Sequence, residues 1–404
     1  MIILKKGNFI KKLGAALLIT TMALSLNFTI ADAQSFSETL SYYSSPQLKN
    51  KYQFINGPCW AFANIATLET FLSKKGILKE SLSEKHLLSY ANQSQNNPGF
   101  HYTITHGGNG MIANGYFSAG LGPVFEKECS YDICNSQFDS KLAAVKSKYW
   151  IKGIKNIGID SHSIKKAIAT YGAATIIYHV KENLYHAVSA IGWDNSTQSW
   201  LIKDSAKYPN NYTSLPYSTQ ILESYCITDA ESFPSNIKIY QHDNFGVTGA
   251  CKANSKLTVA NVFDFSGNET LDQVTICSPS SNSKINVFLA PVSNNGIPTS
   301  YRAYWKNLYS GTVPHNGYFT LNLKNKVHLD KNKYAIIVQL EKTNNSCSPG
   351  IGYQATCEGL TLPSYHPGKS FILCGQSFSE AKNILNLENM SGFSIKASLK
   401  NKSF

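Results

Sequence analysis

The spacing of hydrophobic residues along the first half of the chain predicts a mixture of helices and strands. Between Cys59 and Lys75 the apolar positions recur with a helical period, and Gly76 is where this helix is expected to end. The segment Ser81–Glu84 has the pattern of a capping box, which predicts a second helix, and Ser163–Thr170 predicts a third. Strands are predicted at Ala174–Val180, Ala187–Trp193 and Trp200–Lys203.

From about Phe245 the pattern changes to short β-rich runs separated by Asn, Ser, Gly and Pro. These runs are Leu257–Phe265, Val274–Cys277, Ile285–Val292, Tyr318–Leu323, Tyr334–Leu340, Phe371–Cys374 and Phe393–Leu399. Regular short strands with turn residues between them predict an antiparallel sandwich or jelly roll. The predicted fold class is therefore α+β, with a mixed domain over residues 34–244 and an all-β domain over residues 245–404.

Residues 1–33 have the features of a secretory signal peptide. Four lysines precede the apolar run Leu13–Ile30, and Ala31–Ala33 supplies a small-x-small cleavage pattern. A transmembrane anchor is the less favoured alternative, because polar residues interrupt the run, and no later segment is long and apolar enough to span a bilayer. The mature protein is expected to be secreted, or to lie at the cell surface or in the periplasm.

Charge and composition exclude several kinds of partner. Loss of residues 1–33 would remove four lysines and one aspartate, lowering the formal charge from +12 to +9. This surplus is moderate, and the chain has no dense Lys/Arg run with interleaved aromatic residues, so nucleic acid is not an expected partner. No group of His, Cys and carboxylate residues has metal-ligand spacing, so no metal or other cofactor is expected.

The chain has an odd number of cysteines, which in an exported protein indicates one free reactive thiol among disulfides. They are Cys59, Cys129, Cys134, Cys226, Cys251, Cys277, Cys347, Cys357 and Cys374. With Cys59 as the free thiol, the other eight are enough for four disulfides. Cys129 and Cys134 are close enough to pair, and a Cys226–Cys251 bond would staple the two domains across their boundary, leaving three possible pairings for the rest.

Cys59 is the candidate nucleophile. It follows Gly57 and Pro58 at the predicted start of a helix, where unpaired N–H groups and the helix dipole favour a thiolate. The Cys59 N–H and the side-chain amide of Gln53, six residues upstream, are candidate donors to an oxyanion. A buried structural cysteine is the alternative interpretation of an isolated Cys.

His186 is the candidate base, because it begins a strand-like run 127 residues after Cys59. Asp204 follows 18 residues later on the expected returning strand, and its carboxylate can orient the imidazole. For an isolated histidine, a hydrogen-bonded structural role would be the alternative.

These segments together resemble the papain-like cysteine peptidases. The chain has Gln53 six residues before Cys59-Trp-Ala-Phe, then His186-Ala-Val with Gly-Trp, then Trp-Leu-Ile-Lys-Asp204-Ser. The resemblance implies that Cys59 is the nucleophile, Gln53 the oxyanion donor and His186 the base, with Asp204 at the position where the family has Asn. Gly107 and Gly108 resemble the family's paired glycines, which bind the substrate backbone; a plain turn is the alternative.

Two substitutions depart from the family pattern. Asp204 in place of Asn keeps a hydrogen-bond acceptor for the imidazole and adds a negative charge, which is expected to raise the pKa of His186. Ala206 replaces the Trp that shields the His–Asn hydrogen bond in the family, and this loss of cover is expected to weaken that interaction.

The order of the remaining motifs is similar to bacterial surface papain-like peptidases that carry a lectin-like β-domain, with Tyr240–Asp243 as the linking segment. The sequence therefore predicts a secreted cysteine endopeptidase that acts on proteins or peptides through a Cys59 thioester. By the same resemblance, the β-domain would bind a glycan or another surface ligand. The alternatives are an inactive peptidase-like adhesion protein, and an acyltransferase or amidase using the same three residues.

Overall fold

The structure is a computed structural model that describes residues 40–44, 51–92, 98–131, 145–182, 184–207, 212–363 and 367–401. The predicted signal peptide and Cys134 lie outside these residues. The α-helices of the described part are α1 Cys59–Lys74, α2 Glu84–Ala91, α3 Gly110–Ser118, α4 Ser161–Tyr171 and α5 Ala381–Ile384. Single turns of 3₁₀-helix are found at Glu126–Glu128 and Arg302–Tyr304.

The strands of the first part of the chain are β1 Ser41–Tyr43, β2 Gly99–Phe100, β3 Tyr149–Asn156, β4 Ala174–Lys181, β5 Leu184–Asp194, β6 Ser199–Lys203, β7 Tyr212–Pro216, β8 Ile221–Ser232 and β9 Ile237–Tyr240. Those of the second part are β10 Gly249–Lys252, β11 Lys256–Phe265, β12 Glu269–Ser278, β13 Lys284–Pro291, β14 Lys306–Thr312, β15 Gly317–Leu329, β16 Asn332–Glu341, β17 Gly350–Ala355, β18 Leu360–Thr361, β19 Ser370–Cys374, β20 Ser377–Glu380, β21 Met390–Phe393 and β22 Ile395–Asn401.

Helix α1 is the central element of the first part of the chain. Every residue from Trp60 to Leu72 is buried, so the helix is enclosed on all sides rather than along one stripe. Helices α2 and α3 pack on one side of it, and strand β5 packs on another. A hydrogen bond of 2.9 Å between the hydroxyls of Thr67 and Ser189 joins α1 to β5. The predicted helix from Cys59 is confirmed.

Two details of the helices differ from the prediction. Helix α2 is capped by Ser83, whose hydroxyl accepts from the N–H of His86 at 3.0 Å, rather than by Ser81. Helix α3 was not predicted from the sequence. Two glycines lower its helix propensity, but Gly115 is needed there, because a Cβ at this position would lie 2.7 Å from the carbonyl oxygen of Phe245.

A single sheet runs through both parts of the chain. Its strand order is β7-β6-β5-β4-β8-β3-β15-β12-β22-β9, with β1 paired to β5. The join is the antiparallel pairing of β3 with β15, which includes Ile154 opposite Tyr318. Gly317 begins β15 at φ +104°, and a Cβ there would lie 2.2 Å from the carbonyl oxygen of Ile154. The two predicted domains are thus joined by backbone hydrogen bonds as well as by a linker.

The second part of the chain is a β-sandwich, as predicted. Strands β12, β15 and β22 belong to the shared sheet, and β14-β13-β16-β11-β19-β20 form the sheet that faces it. All pairings in both sheets of the sandwich are antiparallel. One apolar core lies between the sheets and includes Val259, Ile276, Val338 and Leu399.

The predicted set of four disulfides is wrong for this structure. Free thiols are found at Cys59, Cys226, Cys251, Cys277, Cys357 and Cys374. The expected Cys226–Cys251 staple does not form, because Cys226 packs in an apolar cluster beside α4 and Cys251 packs inside the sandwich. Both thiols are buried and pack there as small hydrophobic side chains. The predicted Cys129–Cys134 pair involves a residue outside the described part.

A buried ion pair lies where the linker meets the β-domain. The Nζ atom of Lys396 lies 2.8 Å from a carboxylate oxygen of Asp243, and the two side chains are 1% and 0% exposed. Lys396 also donates to the side-chain oxygen of Gln241 at 2.7 Å and to the backbone carbonyl of Asp243 at 3.2 Å. Burial lowers the pKa of Lys396, although Asp243 opposes this shift. The predicted linking segment is therefore fixed to strand β22 by a charge pair without solvent contact.

Removal of one charge from this pair is expected to destabilise the protein strongly. Lys396→Met would leave the Asp243 carboxylate buried and unpaired, which typically costs about 3–5 kcal/mol of unfolding free energy. Lys400→Met is the matched control on the same strand, because the Lys400 side chain is 46% exposed and its partner Asp272 keeps a second ion pair with Lys326, so the loss is expected to be at most about 1 kcal/mol. Urea denaturation measures both changes. Equal effects of the two substitutions would contradict the prediction.

Candidate active site

Cys59 is the first residue of α1 and is only half-buried, whereas the residues that follow it in the helix are buried. Pro58 precedes it at the N-cap with φ −80°, and Gly57 has φ +123°. A Cβ on Gly57 would lie 2.7 Å from the backbone of Ile104 and Thr105, so only glycine fits this turn. The structure therefore confirms that the thiol of Cys59 lies at the start of a helix.

Gln53 is held in place by contacts on both its backbone and its side chain. The hydroxyl of Ser205 donates to the side-chain oxygen of Gln53 at 2.7 Å, and the Gln53 N–H donates to the Ser205 carbonyl at 3.0 Å. The side-chain nitrogen of Gln53 donates to the carbonyl of Ile55 at 2.8 Å. An amide nitrogen has two hydrogens, so one remains for a further acceptor.

Ser205 is a site residue that the sequence did not single out. It is buried and directly follows Asp204, so one short segment contacts both Gln53 and His186. The one feature of the sequence that could have pointed to Ser205 was its position within the Lys-Asp-Ser motif. Its contact with Gln53 joins residues that are 152 positions apart, and it can be recognised only in the folded chain.

His186 and Asp204 lie next to each other on adjacent strand ends, as predicted. The Nε2 atom of His186 is 2.8 Å from an oxygen of Asp204, and the same oxygen accepts from the N–H of Ala206 at 2.9 Å. Because Nε2 is engaged by Asp204, Nδ1 is the imidazole nitrogen left to face Cys59. The Cys59 side chain is also a hydrogen-bond partner of His186.

The electrostatics of this group favour a charged imidazole. Burial by itself lowers the pKa of His186, but hydrogen bonds and charge from Asp204 and Cys59 outweigh burial and raise it to about 9. For Asp204, burial acts to raise the pKa, but the hydrogen bond and charge of His186 hold it below its ordinary value. This upward direction is the one expected from Asp204, and an imidazolium beside a thiolate is the ion pair in which the sulfur attacks.

Tyr178 packs against the imidazole of His186. Its ring lies 5.7 Å from the imidazole of His186 at an angle of 82°, from the neighbouring strand β4. The side chains of His186 and Asp204 are only 15% and 4% exposed even though Ala206 is small. The predicted loss of cover is therefore smaller than the Ala206 substitution alone would suggest.

The two glycines proposed to bind substrate differ in their surroundings. Gly108 packs against the indole of Trp60, and a Cβ there would lie 2.3 Å from that ring. Gly107 is exposed, and a Cβ there would meet no atom within 4 Å. Gly108 thus requires glycine for packing beside the nucleophile, while Gly107 leaves its backbone open to a ligand; their role in substrate binding stays a prediction.

Neither a metal cluster nor a membrane helix is found in the described part of the chain. No group of three or more His, Cys, Asp or Glu residues there is arranged to hold a metal ion. Among the helices of those same residues, none combines the length and apolar character needed to cross a bilayer.

Family models match the chain in two places. Residues 47–209 match the papain family of cysteine proteases, and residues 239–398 match a lectin-like domain. The first match contains the whole group built around Cys59 and His186, and the second contains most of the β-sandwich. The protein is a papain-family cysteine protease that carries a lectin-like domain.

Two solved structures resemble the chain over most of its length. One is the clostridial cysteine protease Cwp84 after propeptide cleavage, at 25% identity and a TM-score of 0.81, covering 90% of this chain and 100% of that one. The other contains the cysteine protease and lectin-like domains of Cwp84, a surface-layer associated protein of Clostridium difficile, at 25% identity and a TM-score of 0.82, covering 91% of this chain and 90% of that one. No curated protein sequence gives a significant match.

The charge on Asp204 is expected to set the alkaline limit of activity. The folded-state pKa of His186 is raised to about 9, so the protonated imidazole is lost only as the pH rises through that value. Asp204→Asn keeps the acceptor oxygen but removes the charge, so the pKa of His186 should fall and the alkaline limb of kcat/KM should move to lower pH.

The measurement is the pH profile of kcat/KM, with iodoacetamide alkylation of Cys59 followed in parallel. Asp194→Asn serves as the control, because this carboxylate lies at the far end of β5 and is bonded to Ser196. An alkaline limb that stays in place in Asp204→Asn would contradict the assignment.

Proposed function

We propose that the protein is a secreted cysteine endopeptidase in which Cys59 attacks the carbonyl carbon of a peptide bond. The sulfur forms a thioester and the amine leaves with a proton from His186. A water molecule then gives a proton to His186 and attacks the thioester, which releases the acid and regenerates the thiol. Asp204 orients the imidazole and stabilises its charged form throughout.

The tetrahedral intermediates of both steps carry a negative oxygen. The N–H of Cys59, at the positive end of α1, and the side-chain N–H of Gln53 would donate to it. Ser205 is a positioning residue in this scheme, since it contacts the Gln53 amide and not the substrate. Gly107 and Gly108 would pair with the substrate backbone, which is how extended peptides commonly bind to proteases of this kind.

The observation that carries the proposal is the placement of His186 between two partners. It is hydrogen-bonded to Asp204 through Nε2 and lies within hydrogen-bonding reach of the thiol of Cys59. A histidine with only a structural role would not need a cysteine at the start of a helix as its second partner. The orientation of Gln53 by Ser205 gives independent support.

Export and a surface role are further parts of the proposal. The pattern of residues 1–33 supports export, and the related Cwp84 is a surface-layer associated protein. We propose residues 34–244 as the peptidase domain and residues 245–404 as the lectin-like domain, whose ligand would be a glycan or another surface component.

Replacement of the nucleophile is expected to abolish activity without unfolding the protein. Cys59→Ala should end cleavage of an unfolded protein substrate and covalent labelling by an epoxide inhibitor, because both require the thiolate. Cys374→Ala is the matched control, since Cys374 is an exposed free thiol at the end of β19 in the β-domain. Gel-based proteolysis and mass spectrometry of the labelled peptide measure the two effects.

The same experiment separates the alternatives. Undiminished cleavage by Cys59→Ala would exclude this nucleophile. A wild-type protein that is labelled at Cys59 but cleaves no peptide bond would favour an acyltransferase or amidase. A protein with neither labelling nor cleavage would favour a binding protein.

The oxyanion donors can be tested in a second series. Gln53→Ala is expected to lower kcat by about 10²–10³-fold, equivalent to about 2.7–4 kcal/mol of transition-state stabilisation. Ser205→Ala should lower kcat by a smaller factor, because it removes the orientation of the amide and keeps the donor. Gln220→Ala, at an exposed glutamine, is the matched control. Equal kcat values for Gln53→Ala and Gln220→Ala would remove Gln53 from the mechanism.

A further inference from the structure

A short segment of the lectin-like part pairs with the peptidase part, away from the two sheets of the β-sandwich. Strand β18, Leu360–Thr361, runs antiparallel to β2, Gly99–Phe100, and the two strands form a small sheet of their own. The backbone N–H of His101 also donates to the carbonyl of Gly359 at 3.0 Å. Each part of the chain thus contributes one strand to this small sheet.

Two leucines of this segment belong to the apolar core of the peptidase part. Leu360 and Leu362 are both buried, and they pack in the same cluster as Trp60 and Phe100. Trp60 follows Cys59 in α1, so this core is the one that supports the helix of the nucleophile. The core of the β-sandwich is a separate cluster that contains neither leucine. The peptidase core is therefore completed by side chains from the lectin-like part.

Tyr102 connects the small sheet to the loop that follows it. Its ring stacks on that of Phe100 at 5.9 Å and 17°, and its hydroxyl donates to the carbonyl of Glu358 at 3.4 Å. Gly359 has φ +77° and lies directly against this tyrosine, since a Cβ there would be 2.6 Å from the Tyr102 hydroxyl. Tyr102 is therefore enclosed by the lectin-like segment on one side and by the peptidase core on the other.

The loop after Tyr102 leads to the catalytic groove. The backbone of residues 104–105 packs against Gly57, two residues before the nucleophile, where a Cβ would lie only 2.7 Å away. Gly107 and Gly108 come next, and Gly108 packs on the indole that follows the nucleophile in α1. The position of Gly107, whose backbone is open to a ligand, is thus fixed by α1 on one side and by the pairing of β2 with β18 on the other.

We propose that the lectin-like segment around β18 is a positioning element of the peptidase, which holds the loop of Gly107 and Gly108 in place for substrate binding. This rests on the proposed peptidase function and on the pairing of these glycines with the substrate backbone. Gly359 and Leu360 are then positioning residues, because they act through Tyr102 and the loop rather than on the substrate. The lectin-like domain thereby takes part in substrate binding without the need for a glycan.

The test displaces Tyr102 from the lectin-like side in the full-length protein. Gly359→Ala places a methyl group against the tyrosine, and it is expected to raise KM for a fluorogenic peptide by about five- to tenfold, the effect of losing one hydrogen bond between the loop and the substrate. The value of kcat should change little, since Cys59 and His186 keep their places. A contact with only a structural role would lower stability and leave KM as it is.

Gly296→Ala is the matched control. Gly296 also has φ +77° and also lies in the lectin-like part, but a Cβ there would meet no atom within 4 Å. Both substitutions therefore introduce a similar backbone strain, and only Gly359→Ala presses on the peptidase part. Thermal unfolding of the two variants measures the strain, and KM of Gly296→Ala should equal that of the wild-type protein.

A second variant tests the inference independently of whether Gly359→Ala folds. Thr361→Val keeps the shape of the side chain but removes the hydroxyl that lies 2.8 Å from Nε2 of His101. Because this hydrogen bond is exposed, KM is expected to rise only about twofold. Thr361→Ser restores the hydroxyl and should return KM to the wild-type value.

Two measurements distinguish failure of this inference from failure of the proposed function. Iodoacetamide alkylation of Cys59 and hydrolysis of p-nitrophenyl acetate need the nucleophile but no peptide backbone, so their rates should be equal in all the proteins. Peptide cleavage with the same KM in the wild-type protein and Gly359→Ala would overturn the inference and leave the peptidase function standing. An equal rise of KM in Gly296→Ala would also overturn it. Absence of cleavage and alkylation in the wild-type protein would overturn both.

Discussion

Backbone pairing between β3 and β15 determines how the two parts of this protein are related. A covalent linker alone would leave a protease and a sandwich free to move, whereas strands of one sheet have a fixed register and spacing. Gly317 makes the join possible, because any side chain there would overlap the carbonyl of Ile154. The buried pair of Asp243 and Lys396 fixes the linker to the same sheet. The geometry of the space between the domains therefore follows from the fold.

The site around Cys59 depends on compensation of buried charge. Burial would normally favour neutral side chains, yet His186 remains charged because Asp204 and the thiol both lie within hydrogen-bonding distance. Asp204 in turn accepts from His186 and from the backbone of Ala206. The change from Asn to Asp thus strengthens the pair electrostatically, while Tyr178 supplies aromatic cover from a different strand. The charge that Asp204 adds and the cover that Ala206 removes therefore have opposite effects on the strength of the His186–Asp204 hydrogen bond.

The reactive group could be predicted from sequence because its chemistry is encoded locally. Cys59 and His186 each lie in a short continuous motif, and the β-domain was evident from short β-rich runs separated by turn residues. The Cys226–Cys251 bond was predicted wrongly, because cysteine number and compartment carry no information on distance, and Cys226 and Cys251 belong to different cores. Ser205 was missed for a related reason, because its significance comes from a contact with Gln53 that spans 152 residues and is not visible in a local pattern.

Two carboxylates of the peptidase part show how differently one chain can treat the same group. Asp204 has donors from a side chain and from the backbone, and its pKa is lowered despite burial. Glu223 has none among the described residues, and burial alone raises its pKa to about 7. A carboxylate whose hydrogen-bond donors belong to the folded chain has its charge already compensated, so it can serve as a permanent orienting charge. One without donors is costly to ionise until a cation arrives, since only then does the Coulomb attraction offset its desolvation. The first arrangement suits a group that acts on another residue as a fixed charge, whereas the second favours the neutral acid.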